Sequence, residues 1–144
     1  MDRKGYEQYI DHFNNMRFDK VAVYFTPDVT VEFPDSLSSP PIVGRTLHGP
    51  KEFIANYQEL TSNVREVLEI GAFLSRGKQV FVELYTEFHA FRDAPPSWKK
   101  GGISIMTNWV LYDLDEKGKM KRIRIAHFRN SDPATARFKH LVPK

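Results

Sequence analysis

Two periods of hydrophobic and polar positions divide this chain. Before Val64 most apolar residues recur at helical spacing; from Val64 onward they recur every second residue. Tyr6, Tyr9, Ile10 and Phe13 share one helical face behind Asp2, which has the side chain to cap a helix start, and Asn14-Asn15 breaks the run. A second short helix from about Asp19 presents Val21, Tyr24 and Phe25, and Thr26-Pro27-Asp28 is expected to end it, since proline removes a backbone donor and sets a turn. Asp28 to Phe33 then alternates as a half-buried strand. A Pro/Ser-rich loop, residues 34–44, is a candidate lid. His48-Gly49-Pro50 opens a helix striped by Phe53, Ile54, Tyr57 and Leu60.

Four long strands follow, at 64–75, 79–91, 103–113 and 120–129, the first pair turning at Gly77 and the last at Gly118. The tail restarts a short helix at Asp132-Pro133. No repeat or linker interrupts the pattern, so one domain over residues 1–144 is expected. Three helices with one strand among them, then four antiparallel strands, predict an α+β fold. In it a curved antiparallel or mixed sheet wraps over three helices of the N-terminal half, leaving a cone with one closed and one open end. In so small a domain that space is the natural small-molecule site.

Composition sharpens the picture in three places. Eleven Phe, six Tyr and two Trp make 13% of the chain, enough for a stiff aromatic core, an aromatic pocket or an apolar interface. Formal charge is +3, and the basic run Lys117, Lys119, Lys121, Arg122 and Arg124 follows directly on Asp113, Asp115 and Glu116, so nucleic acid is not an expected partner. The absence of cysteine excludes disulfides, thiolate nucleophiles and cysteine-bound metals. The first twenty residues are charged throughout, and no stretch approaches the roughly 20 apolar residues of a membrane span, so a soluble, cytoplasmic protein with no membrane partner is expected.

The element order resembles the nuclear-transport-factor-2-like (NTF2-like) superfamily, the cystatin-like roll shared by ketosteroid isomerases, polyketide cyclases and scytalone dehydratase. The local match is sharpest at residues 17–33 (RFDKVAVYFTPDVTVEF), which resemble the dehydratase's helix, proline turn and first strand without a gap. The resemblance implies a catalytic histidine at His89 and a substrate-binding asparagine at Asn108. It also exposes departures. Phe13-Asn14 stands where the dehydratase has a Tyr-Asp pair, Phe33 where it has a tyrosine, and no histidine occurs near residues 63–65. Phenylalanines cannot hold the water that those tyrosines hold. The superfamily hosts many activities, so its fold alone does not choose among them.

His89 can act as acid or base near neutral pH, and Glu87, two residues earlier in the same strand, is placed to orient it. Asn108 sits in an otherwise apolar strand, where a buried amide needs a partner, either a substrate oxygen or a neighbouring side chain. Phe13, Tyr24, Phe33, Met106 and Val110 are the expected walls, with Asn14, Tyr57 and His127 as further substrate-binding groups. Core packing is the stronger reading for Tyr57, which shares its stripe with Phe53 and Leu60. His127, Glu87 and His89 show no HxH or HExxH spacing, so no metal is expected. His12, His48 and His140 read as surface or capping residues. No phosphate loop, GxSxG elbow or nucleotide fingerprint is present, and no cofactor is expected.

If Asn108 and His89 both face the cone, strand alternation turns Trp109, Leu111, Val82, Leu84 and Phe88 outward. Water would not tolerate that patch, so a homodimer through the convex face is expected. The function that follows is a cofactor-independent isomerase, cyclase or dehydratase acting on an apolar polycyclic or polyketide-like molecule by His-centred acid–base chemistry. The alternative is a non-catalytic small-molecule-binding or dimeric assembly module of the same fold.

Overall fold

The computed structural model describes residues 1–36 and 42–144. Helix α1 (Arg3–Asn14) starts where Asp2 Oδ1 accepts from the Gly5 N–H at 2.8 Å, and Met16, with a φ of 56°, turns the chain into α2 (Phe18–Ala22). Strand β1 (Phe25–Glu32) follows at once. It starts three residues earlier than its alternation predicts, because Pro27 does not end an element here. Proline lacks only the N–H, and β1 leaves its pairing with the neighbouring strand between Phe25 and Thr30, where that donor has no ladder role. The central residues of the candidate lid, 37–41, lie outside the described residues.

Strand β2 (Thr46–His48) is three residues long and pairs antiparallel with β1, Thr30 opposite His48. So short a segment carries no readable alternation. Helix α3 (Gly49–Thr61) begins with Pro50 in its first turn. The long strands are β3 (Val64–Arg76), β4 (Gln79–Ala90), β5 (Ile103–Leu114) and β6 (Met120–Ser131), followed by 3-10 turns at Pro133–Thr135 and Lys139–Leu141. Gly77 and Gly118 take φ values of 58° and 80° in the two hairpin turns, as their positions require.

The six strands form one open mixed sheet in the order β2-β1-β6-β5-β4-β3, with β1 and β6 parallel and the other neighbours antiparallel. Register shifts between Ile70 and Phe73, Thr107 and Asn108, and Asp113 and Leu114 bend the sheet. The expected α+β cone is the observed fold. On the concave side Tyr6, Ile10 and Phe13 of α1 and Phe53 and Tyr57 of α3 meet Val80, Val82 and Leu84 of β4, with Val110, Tyr112 and Ile123 beyond them. Aromatic edges do much of the packing. The Phe13 ring stands 5.0 Å from Tyr57 and 5.6 Å from Phe18, both edge-on.

Asn14 is a correction. It was expected to bind substrate, but its amide brackets the edge strand: Nδ2 donates to the Leu68 carbonyl at 2.8 Å and Oδ1 accepts the Leu68 N–H at 2.9 Å. The side chain copies a strand's hydrogen-bond pair on the free edge of β3 and ties α1 to the sheet. Asn14→Ala is expected to leave both Leu68 groups unpaired and to lower unfolding free energy by about 1–3 kcal/mol. The check is the denaturant midpoint at constant slope.

Candidate active site

The register of β4 against β5 decides which side chains see the cone. Leu84 lies opposite Asn108, Thr86 opposite Met106 and Phe88 opposite Ser104, so these share the concave face. His89 lies opposite Ile103 and Glu87 opposite Ile105, so both belong to the convex face. The expectation that His89 and Asn108 converge is therefore overturned, as is the outward placement of Val82, Leu84 and Phe88; Trp109 and Leu111 do face outward. The hydrophobic row Val80, Val82, Leu84 takes the core side, and Glu83, Tyr85, Glu87 and His89 take the other.

Glu87 and His89 are nevertheless buried, at 0% and 3% exposure, because the C-terminal segment folds back over them. Glu87 accepts from the Tyr85 hydroxyl, from the backbone N–H groups of Arg137 at 2.8 Å and Phe138 at 3.1 Å, and from His89 Nε2 at 2.7 Å. An ionised carboxylate only accepts, so Nε2 carries the proton. Burial alone would raise the carboxyl's pKa. The hydrogen bonds from Tyr85, Arg137, His89 and Phe138 outweigh it and hold the pKa to about 2. Arg137 adds an ion pair to Glu69 at 2.8 Å and lies 4.2 Å over the Tyr85 ring. This is a clasp for the C-terminal segment.

The concave face encloses the real candidate. An outer chamber of about 910 Å³ opens between the sheet and residues 33–36 and 42–45, walled by Phe33, Phe88, Met106 and Ile125. It continues into an inner chamber of about 60 Å³ bounded by Phe13, Val110 and Tyr112. Tyr57, Glu66, Asn108 and Ile125 line both and mark the waist. His127 lines the outer chamber. Of the predicted wall and binding residues, Phe13, Phe33, Tyr57, Met106, Asn108, Val110 and His127 thus line the cavity. Tyr24 does not: its ring packs edge-on against Tyr9 at 5.3 Å. Among the described residues no set of three His, Asp or Glu side chains comes together to hold a metal, and His127 is across the sheet from Glu87 and His89.

Glu66 is the residue that sequence reasoning missed. It is 8% exposed, and its Oε2 has no hydrogen-bond partner among the described residues. Burial pushes its carboxyl up to about 8, so at neutral pH it holds its proton. A signal existed in the row Val64, Glu66, Leu68, Ile70, where one carboxyl interrupts an apolar face. Beside it, burial pushes the Tyr57 phenol well up, the Glu66 carboxyl adds to that, and Arg45 opposes it. The Asn108 amide has one long contact, Nδ2 to Thr86 Oγ1 at 3.5 Å, and so keeps most of its hydrogen-bonding capacity free.

The model of the SnoaL-like domain matches residues 6–123, most of the chain. The chain belongs to the SnoaL-like family. Solved structures agree in fold with this SnoaL-like domain. A candidate polyketide cyclase from Xanthomonas campestris pv. campestris superposes with a TM-score of 0.67 at 20% identity, covering 85% of this chain and 87% of that one. An LEH-like epoxide hydrolase from M. tuberculosis gives 0.64 at 14% identity, covering 87% and 80%. A candidate ketosteroid isomerase from Kribbella flavida gives 0.64 at 16% identity, covering 99% and 87%. No curated protein sequence matches the chain. Among the described residues no helix is long and apolar enough to cross a membrane.

The two buried glutamates make opposite predictions for stability. The Glu87 carboxyl is depressed, so its contribution is complete above its unfolded pKa of about 4.3 and is lost as pH falls toward about 2. Glu66 is raised, so its neutral form favours the fold below about 4.3 and stability declines as pH climbs toward about 8. Urea unfolding across pH is expected to show Glu87→Gln costing about 3 kcal/mol at neutrality, with the deficit shrinking in acid. Glu66→Gln gains on the wild type as pH rises.

Proposed function

We propose that this SnoaL-like domain is a cofactor-independent enzyme of the isomerase, cyclase or dehydratase type. Its substrate is an apolar polycyclic or polyketide-like small molecule, and its proton-transferring group is Glu66 rather than His89. One observation carries the reading: a carboxyl whose Oε2 has no hydrogen-bond partner among the described residues, poised by burial at about 8, in the wall of an apolar cavity. A base with that pKa keeps its proton at rest and can still take or give one near neutral pH. Asn108, on the same concave face two strands away, is the group to hold a substrate oxygen, and the Tyr57 phenol, kept protonated by burial, is a second donor. Phe33, Phe88 and Met106 exclude water from the reacting centre, which strengthens each hydrogen bond made there. The cyclase, hydrolase and isomerase descriptions of the fold neighbours are in keeping with acid–base chemistry of this kind.

The test is generic to proton abstraction. In deuterated buffer an apolar cyclic ketone such as β-tetralone is expected to exchange its α-protons on the protein faster than in buffer alone, followed by NMR. Glu66→Gln should slow that exchange about 10²-fold or more, and the rate should rise with pH through about 8 in the wild type. His89→Gln should exchange at the wild-type rate. Ketone binding without exchange would leave the domain as a binding module.

Dimerisation through the convex face belongs to the same proposal. Trp109 and Phe128 stack at 4.1 Å and 13° while remaining 37% and 49% exposed, with the Phe81 ring 6.1 Å from Trp109. Paired aromatics left open to water are matched by the same patch on a second copy. Wild-type protein is expected to sediment as a dimer at micromolar concentration, and Trp109→Glu with Phe128→Glu as a monomer with an unchanged far-UV spectrum.

A further inference from the structure

The mouth of the cavity carries one cation that the acid–base reading does not use. Arg45 lines the outer chamber and also a side cleft of about 320 Å³ that it shares with Asn56, Glu59 and Trp98. Its guanidinium is fixed twice over. It donates to Asn56 Oδ1, and it lies 5.0 Å from the centre of the Phe33 ring, a cavity wall. Yet no carboxylate among the described residues makes an ion pair with it, whereas Arg3, Arg17, Arg122, Arg124 and Arg137 each face one directly. Asp35, on the same rim, has Oδ1 engaged by the Gly44 N–H at 2.6 Å. The Arg45 charge is felt inside the cavity, where it opposes the upward shift of the Tyr57 phenol. Next to it Ile42 and Val43 are 65% and 83% exposed, an apolar rim beside a held but unneutralised guanidinium.

A planar guanidinium held by stacking and one amide keeps donors for a carboxylate-like group, and its fork fits such a group in two parallel bonds. Resting on the reading of the cavity as a small-molecule site, we propose that the ligand is an amphipathic acid. Its apolar body fills the outer chamber, and its carboxylate, sulfonate or similar anionic end binds Arg45 at the mouth. Arg45 is thereby a specificity-determining residue. It sets which end of the ligand enters and presents the buried portion to Glu66 and Asn108.

Two fluorescent probes separate body from charge: 1-anilinonaphthalene-8-sulfonate, an apolar aromatic with a sulfonate, and N-phenyl-1-naphthylamine, its uncharged counterpart. Both should bind the wild type and displace one another, which assigns them to one cavity. Arg45→Gln is expected to weaken the sulfonate about tenfold and the neutral probe less than twofold, while Arg45→Lys restores part of the sulfonate's affinity. Equal affinity of Arg45→Gln and wild type for the sulfonate overturns the proposal, and so does an equal loss for both probes, which would make Arg45 a wall residue. Failure of the neutral probe to bind the wild type overturns the cavity reading itself, and this inference with it.

Discussion

The alternation of side chains across the four long strands is the constraint on which everything else rests. Because the period is two, setting Leu84 opposite Asn108 assigns every residue of β4 and β5 to a face at once. Val80, Val82 and Leu84 then meet the helices, and Thr86, Phe88, Met106 and Asn108 line the open end. Glu87 and His89 go to the far side, where the C-terminal segment covers them. A slip of one residue would put Glu83, Glu87 and His89 into the core and Val82 and Leu84 into water.

Much of this was legible in the chain. The stripes of α1 and α3, the four long strands, both glycine turns and the cone follow from periodicity and turn chemistry, all of them local. The expected second stripe overran α2, which ends at Ala22 before Tyr24 and Phe25. The position of β2 was not, since three residues carry no period, and Pro27 misled because proline marks the end of an element unless its missing donor falls where pairing is interrupted. At His89 the local signal was sound and was overruled. The even-numbered residues 80–88 of β4 are the more apolar set, and hydrophobic patterning alone turns His89 outward. Resemblance to a dehydratase turned it in. The register that refutes this passes through the 91–102 connection, whose geometry no local pattern encodes.

Which polar groups are available at the site follows from which are already satisfied. Asn14 is engaged by Leu68, and at the closed end the Tyr6 and Tyr112 hydroxyls hold each other at 2.6 Å. Of the four buried side-chain atoms without partners among the described residues, Thr26 Oγ1, Arg65 Nη1, Glu66 Oε2 and Arg124 Nε, Glu66 is the one that lines the cavity. Native proteins pair nearly all their buried polar atoms, so an exception at the waist of a cavity marks where a ligand group completes the structure.

Glu66 and Glu87 show how far environment fixes the role of a side chain. Both are buried glutamates near the same end of the sheet, one on each face, on adjacent strands. Glu87 has four donors and stays ionised, with a pKa near 2, too low for it to take up a proton at neutral pH. Glu66 has no partner at Oε2 among the described residues and is neutral until about pH 8. The carboxylate that looks most like catalytic machinery, Glu87 with His89 at 2.7 Å, is therefore the one held ionised. The Glu66 carboxyl, with no donor at Oε2 among the described residues, is the one whose charge the protein leaves uncompensated, so a bound dipole that compensated it would shift its equilibrium.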